Sequence, residues 1–172
     1  IYSDLEILGI VKYILSEEGV KSFIVKKILD VLNNRLTYYL QKMDANCMCS
    51  FNEFFEENII NEKGEVCSYF NFSGAERKNI DLAILFTFMD MRRLQGDVAY
   101  NIVIFDELLD SSLDEKGVEL VLGLLNERVE TYKENIYIIS HRKESAKAAT
   151  GEVITLQKQN GITTRVDFVK ET

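Results

Sequence analysis

The stretch from residue 101 to residue 142 restricts the possible folds more than any other part of the chain. Asn101-Ile102-Val103-Ile104-Phe105 is a continuous apolar run closed by two acids, Asp106 and Glu107. A second run, Ile136-Tyr137-Ile138-Ile139, closes with Ser140-His141-Arg142, and helical periodicity fills the interval from about Asp114 to Tyr132. Apolar runs without alternation predict strands buried on both faces of a parallel sheet. Strand, helix and strand at this spacing predict a right-handed parallel crossover. In open sheets of this kind, ligands sit beyond the carboxyl ends of the strands, so Asp106, Glu107 and His141 become the first candidates for chemistry. The fold class is α/β.

The rest of the chain can be arranged around that crossover. Leu5, Leu8, Val11 and Leu15 recur at helical spacing, and Ser16-Glu17-Glu18-Gly19 reads as the end of that helix. A second helix is expected from Lys21 to about Met43, with Ile24, Ile28, Val31, Leu32, Leu36, Tyr39 and Leu40 on its apolar stripe. Residues 1–45 thus form a helical pair, and residues 46–172 the globular part. Between Cys47 and Phe72, short segments rich in aromatic and β-branched residues predict small antiparallel strands, with a turn at Asn61-Glu62-Lys63-Gly64. A helix from about Gly74 to Leu94 is apolar on nearly every side from Leu82 to Met91, which predicts burial within a larger body. A short helix is expected at about 143–149, followed by a closing hairpin around Asn160-Gly161.

Composition excludes several function classes. With 172 residues, 47% hydrophobic and 28% charged, the chain can bury one core. No apolar run approaches the roughly 20 residues that span a bilayer, and the start lacks the pattern of a signal peptide, so a cytoplasmic setting without membrane contact is expected. The chain opens on Ile1 within a helical pattern, as a piece of a longer parent would. A net charge of −8 argues against a surface that is basic overall. Lys26, Lys27, Arg77 and Lys78 are candidates for contact with DNA by charge alone, and each also suits a solvated helix face. Cys47, Cys49 and Cys67 match no usual zinc spacing and read as reduced structural thiols.

Four local patterns could carry chemistry, and each has a structural alternative. Asp106 can face a Mg²⁺ ion while Glu107 orients an attacking water, although both acids could simply cap the next turn. Ser73 and Glu76, in Phe72-Ser73-Gly74-Ala75-Glu76, fit the S-x-x-E capping box; the same helix start offers N–H groups to a phosphate. Ser111-Ser112-Leu113-Asp114 follows Glu107 closely. His141 is the only histidine in the chain; a lone histidine is more often structural than catalytic, and its place at the end of a parallel strand strengthens the alternative of a role at the site.

In order and spacing the four patterns resemble the ABC ATPases, and within them the SbcC-type and SMC-like DNA-repair branch, which includes the ATPase subunits of phage recombination nucleases. Phe72 to Glu76 looks like the signature loop, Ile102 to Glu107 like the Walker B strand, Ser111 to Asp114 like the D-loop and His141 like the switch histidine. Ala75 stands where the family commonly has a second glycine, Phe72 where it has leucine, and Ser112 where it has alanine. The resemblance covers most of the chain. It implies the C-terminal lobe of an ABC head, P-loop NTPase-like, with a mostly parallel sheet flanked by helices and an N-terminal helical pair from the base of a coiled coil.

The resemblance also implies a mechanism and partners. No G-x-x-x-x-G-K-[ST] loop is present, since none of the nine glycines is followed by lysine. The phosphate-cradling loop would lie in the N-terminal lobe of the same parent chain. The family sandwiches two ATP molecules with Mg²⁺ between two heads. Asp106 would then serve the metal through water, and Glu107 and His141 would be catalytic for the nucleotide of their own head. Ser73, Gly74, Ala75 and Glu76 would reach the nucleotide of the second copy, with Ser112 and Asp114 at the dimer seam. Implied partners are a second copy of the head, an SbcD-like nuclease subunit and double-stranded DNA. An SMC-like DNA tether without a nuclease, and a non-catalytic module of the same fold, remain alternatives.

Overall fold

The computed structural model describes residues 2–94, 96, 101–109, 112–142, 146 and 149–166. The chain separates into two compact units, residues 1–99 and 100–172. The junction expected near residue 45 falls inside the first of them.

The first unit begins with helices α1 (Tyr2–Ile14) and α2 (Glu17–Lys42). Ser16-Glu17-Glu18-Gly19 opens α2 instead of closing α1: the Ser16 hydroxyl accepts from the Gly19 amide at 3.2 Å, so the break is confined to Leu15 and Ser16. A Cβ on Gly19 would collide with the Tyr13 carbonyl, so this tight connection requires glycine. Leu29, Leu32, Leu36, Tyr39, Leu40 and Met43 are buried, whereas Ile24, Val31 and, in α1, Leu5, Ile7, Leu8, Ile10, Val11, Tyr13 and Ile14 are exposed. The apolar stripe read along α2 is therefore covered only over its C-terminal half.

That half packs on α3 (Gly74–Leu94), whose boundaries match the expected ones. Ile80, Leu82, Ala83 and Phe86 are buried, at roughly 1.5–3 kcal/mol for each large apolar side chain. Leu85 and Phe88 remain exposed, so α3 is covered on one side and not all round. Within the interface the Tyr39 hydroxyl donates to Asp90 at 2.7 Å, and Arg35 lies 3.8 Å from the same buried carboxylate. Strands β1 (Cys47–Phe51), β2 (Glu57–Asn61) and β3 (Val66–Cys67) form an antiparallel sheet in that order. Asn33 of α2 holds the end of β1 through both backbone groups of Phe51, at 2.9 and 2.8 Å.

In the second unit β4 (Ile102–Asp106) pairs in parallel with β5 (Asn135–Ile139), in a register that sets Asp106 opposite Ile139. Helix α4 (Glu115–Tyr132) connects them and buries Val118, Val121, Leu122, Leu124 and Leu125. The expectation of strands buried on both faces is corrected: Ile102, Ile104, Tyr137 and Ile139 are exposed, while Phe105 on the opposite face is buried. A run that is apolar on both faces predicts cover on both, and among the described residues of the second unit α4 supplies one of the two layers. Among the described strands, β6 (Thr155–Gln159) and β7 (Ile162–Val166) are antiparallel, joined by Asn160 and Gly161 at φ 51° and 81°, the left-handed pair of a type I′ turn. Most of the short helix expected at 143–149 lies outside the described residues.

Two features of the packing are open to direct measurement. Arg128 and Glu134, both buried, form a two-pronged pair at 2.9 Å that joins the end of α4 to the start of β5. Removing one partner strands a buried charge, so Glu134→Ala should lower unfolding free energy by about 3–5 kcal/mol in urea titration, while breaking the exposed Arg165–Glu152 pair should cost under about 1 kcal/mol. Burial pushes the Cys47 thiol up to about 11 and the Cys49 thiol up to about 12. In the native protein at neutral pH both should resist alkylation by iodoacetamide, and both should react once urea unfolds it.

Candidate functional site

The parallel register brings the carboxyl ends of β4 and β5 side by side. Beyond Asp106 the chain stays tied to β5, because the Glu107 amide donates to the Ile139 carbonyl at 2.9 Å. Glu107 itself sits at φ 52°, in the left-handed region that few side chains other than Asn and Asp tolerate. This turn ends the strand's alternation and directs the Glu107 carboxylate toward His141, with Oε1 3.7 Å from Nε2. The separation is too long for a hydrogen bond, and the side chains are 67% and 83% exposed, so a solvent-borne substrate can reach both. Asp106 is exposed as well, on the same face as Ile102 and Ile104.

The loop after Glu107 is anchored from below. Leu108, Leu109 and Leu113 are buried, and Ser112, exposed, adopts φ 62°. Asp114 is the N-cap of α4, accepting from the Gly117 amide at 2.7 Å. Ser111 lies outside the described residues. Arg142, given no role from the sequence, reaches back to the Leu113 carbonyl at 2.8 Å, and its amide donates to the Ser140 hydroxyl at 3.0 Å. A side chain bonded to a distant backbone carbonyl leaves no pattern in sequence; its adjacency to His141 was the only available signal.

In the first unit, Ser73 and Glu76 form the expected capping box. The Ser73 amide donates to Glu76 at 2.8 Å and the Glu76 amide donates to the Ser73 hydroxyl at 3.4 Å. Hydrogen bonding by the Ser73 side chain, then by its backbone, holds the Glu76 carboxyl below its ordinary value. Gly74 and Ala75 form the exposed first turn of α3. A 3-10 turn at Tyr69–Asn71 precedes them, fixed by the Tyr69 hydroxyl on both oxygens of Asp81 at 2.9 and 3.0 Å and by Arg77 over the Tyr69 ring. Sequence reading missed this clamp, since twelve residues separate its partners in the chain. A cleft of about 600 Å³ opens beside it, lined by Asn61, Lys63, Cys67, Asn71, Phe72 and Glu76.

The donor set suits a metal held mainly by water and by a substrate's phosphate oxygens. Among the described residues no group of three or more His, Cys, Asp or Glu side chains could hold a metal alone. Asp106 is one exposed carboxylate at a strand end, and Mg²⁺ typically takes one or two carboxylates with waters and phosphates.

No protein-family model matches the sequence. The chain is 35% identical over 140 residues to exonuclease subunit 2 of Escherichia phage RB69, covering 81% of this chain and 24% of that protein. It is 32% identical over 158 residues to exonuclease subunit 2 of Enterobacteria phage T4, covering 92% of this chain and 28% of that one. It therefore spans about a quarter of the length of these curated relatives. Among solved structures it resembles one described as the structural biochemistry of ATP-driven dimerization and DNA-stimulated activation of SMC ATPases, with a TM-score of 0.66 at 17% identity, over 86% of this chain and 89% of that one. At that identity the likeness establishes the fold: that of part of an SMC ATPase head.

The Ser73–Glu76 box has a defined pH signature. A carboxyl whose folded value is depressed contributes fully above its ordinary value of 4.5, and the contribution is lost as pH falls through the folded value. Glu76→Gln should therefore lower stability by about 1 kcal/mol or less at neutral pH. The gap from the unsubstituted chain should narrow in thermal melts as pH falls below 4.5. A gap that stays constant there would mean Glu76 acts through something other than its charge.

Proposed function

This chain is part of an SbcC/SMC-like ABC ATPase head, and from that premise we propose that its parent protein binds and hydrolyses ATP in a head-to-head dimer, and that the cycle controls a partner nuclease acting on double-stranded DNA ends. The observation that carries this reading is the convergence, at the ends of two paired parallel strands, of Asp106, Glu107 and His141, with Glu107 and His141 3.7 Å apart. Two adjacent acids on opposite sides of a backbone turn can do different work. Asp106 would hold Mg²⁺, which when bound neutralises charge on the phosphates. Glu107 would orient and deprotonate the water that attacks the γ-phosphate in line. His141 would contact the phosphoryl group leaving the nucleotide of the same head.

The remaining site residues would act between heads. The α3 N-terminus, with Ser73, Gly74, Ala75 and the Glu76 that fixes their turn, would offer N–H groups and a positive dipole end to the γ-phosphate held by the second copy. Ser112 and Asp114 would lie at the seam. Because each nucleotide then touches both heads, ATP favours the closed dimer and hydrolysis releases it. The N-terminal lobe of the parent chain would supply the phosphate loop and cover the apolar face left open by Ile102, Ile104, Tyr137 and Ile139. The exposed apolar surface of α1 suits the base of a coiled-coil arm. The phage relatives bear the name exonuclease subunit 2, which supports a nuclease partner for the parent.

The test is Glu107→Gln in the full-length parent. It should cut ATP turnover by about a hundredfold or more while trapping an ATP-bound dimer visible by size-exclusion light scattering. A parent that neither dimerises nor hydrolyses ATP, with DNA and a nuclease subunit present, would overturn the reading. A dimer that hydrolyses ATP and tethers DNA but associates with no nuclease would leave the ATPase reading and remove the nuclease.

A further inference from the structure

His141 stands at the apex of a short turn whose two flanks are held by different parts of the second unit. On one side, β5 is tied to the backbone of Glu107, whose amide donates to the Ile139 carbonyl. On the other, the Arg142 amide closes the turn onto the Ser140 hydroxyl at 3.0 Å, and the Arg142 guanidinium donates to the Leu113 carbonyl at 2.8 Å. Leu113 is the residue just before the N-cap of α4, so its carbonyl lies outside the helix ladder and takes this donor from 29 positions away. Arg142 is half-buried and Leu113 is buried. A bond sheltered in this way is worth more than an exposed one, and losing it leaves a carbonyl unsatisfied.

From this arrangement we infer that Arg142 is a positioning residue that makes the placement of His141 against Glu107 depend on the conformation of Ser112 to Asp114. The inference rests on the ATPase reading and deepens it. Ser112, at φ 62°, is held in a sparsely populated backbone region, which suits a segment with two arrangements. If a second head seats that segment, the Leu113 carbonyl moves with it, Arg142 follows, and the adjacent His141 moves relative to Glu107. Hydrolysis would then proceed only where the seam is closed. No bond is made or broken by Arg142 itself.

The test uses the full-length parent with Arg142→Ala and Arg142→Lys, the second keeping a donor that can reach the Leu113 carbonyl. Expected for Arg142→Ala is a kcat about tenfold lower per folded head, with KM for ATP and ATP-dependent dimerisation within about twofold of wild type. Arg142→Lys should recover most of kcat. A purely structural role would lower the melting temperature and folded fraction and leave kcat per folded head unchanged, which would overturn the inference. Hydrogen exchange provides a readout independent of turnover. In Arg142→Ala, amides of residues 112–114 and 139–142 should exchange faster together, about tenfold, with α3 unchanged. If wild type shows no ATPase activity, the functional reading fails while the exchange result still decides whether Arg142 links the two segments; faster exchange in one segment alone would sink the link.

Discussion

Parallel pairing of β4 with β5 is the constraint on which the candidate site depends. A parallel register fixes where both strands end, so setting Asp106 opposite Ile139 also fixes the distance between whatever follows each strand. Glu107 and His141 follow, and the Glu107–Ile139 backbone bond extends the pairing by one step into the loop. The helix that makes such a connection possible, α4, is itself held at both ends: by the Asp114 cap at its start and by the Arg128–Glu134 pair just past its end. The candidate site is therefore built on the ends of a crossover that is held at several points, with the Ser112–Asp114 loop attached to it through Arg142.

The first unit follows a similar logic with other means. The α3 N-terminus is shaped by its own capping box and by the Tyr69–Asp81 clamp, while the body of α3 is fixed to α2 through a buried apolar interface with Tyr39 and Asp90 inside it. A buried carboxylate with a hydroxyl partner specifies one register between two helices more sharply than apolar packing alone, since sliding either helix would strand the charge. The Ser73–Glu76 segment thus opens a helix whose body is packed and hydrogen-bonded to α2.

Much of this could be read from the residues because the signals were local and periodic. The continuous runs at 102–106 and 136–139, the S-x-x-E box at Ser73 and the Asn160-Gly161 turn each announce an element within a few residues, and each element formed there. Reading failed where one residue serves two grammars. Gly19 resembles a helix stop, yet it is the third residue of a new helix, and only the Ser16 bond and the crowding by Tyr13 reveal this. It failed also where an apolar face records what a strand needs and not what lies next to it: among the described residues of the second unit one layer, α4, covers β4 and β5. Contacts such as Arg142 to Leu113 and Asn33 to Phe51 join side chains to backbone across long stretches of chain, and backbone groups have no letters in a sequence.

The left-handed conformation of Glu107 has a consequence for how this position can vary. Its backbone would be most comfortable with glycine, which visits that region without penalty, while an L side chain there carries a cost of about 1–2 kcal/mol. Selection for stability alone would discard the carboxylate, and the proposed role of Glu107 is what would retain it. On the proposed ATPase role the residue would mark a point of conflict between durability and turnover: a lineage released from the need to hydrolyse nucleotide would gain by losing this side chain first, and would keep its fold while doing so.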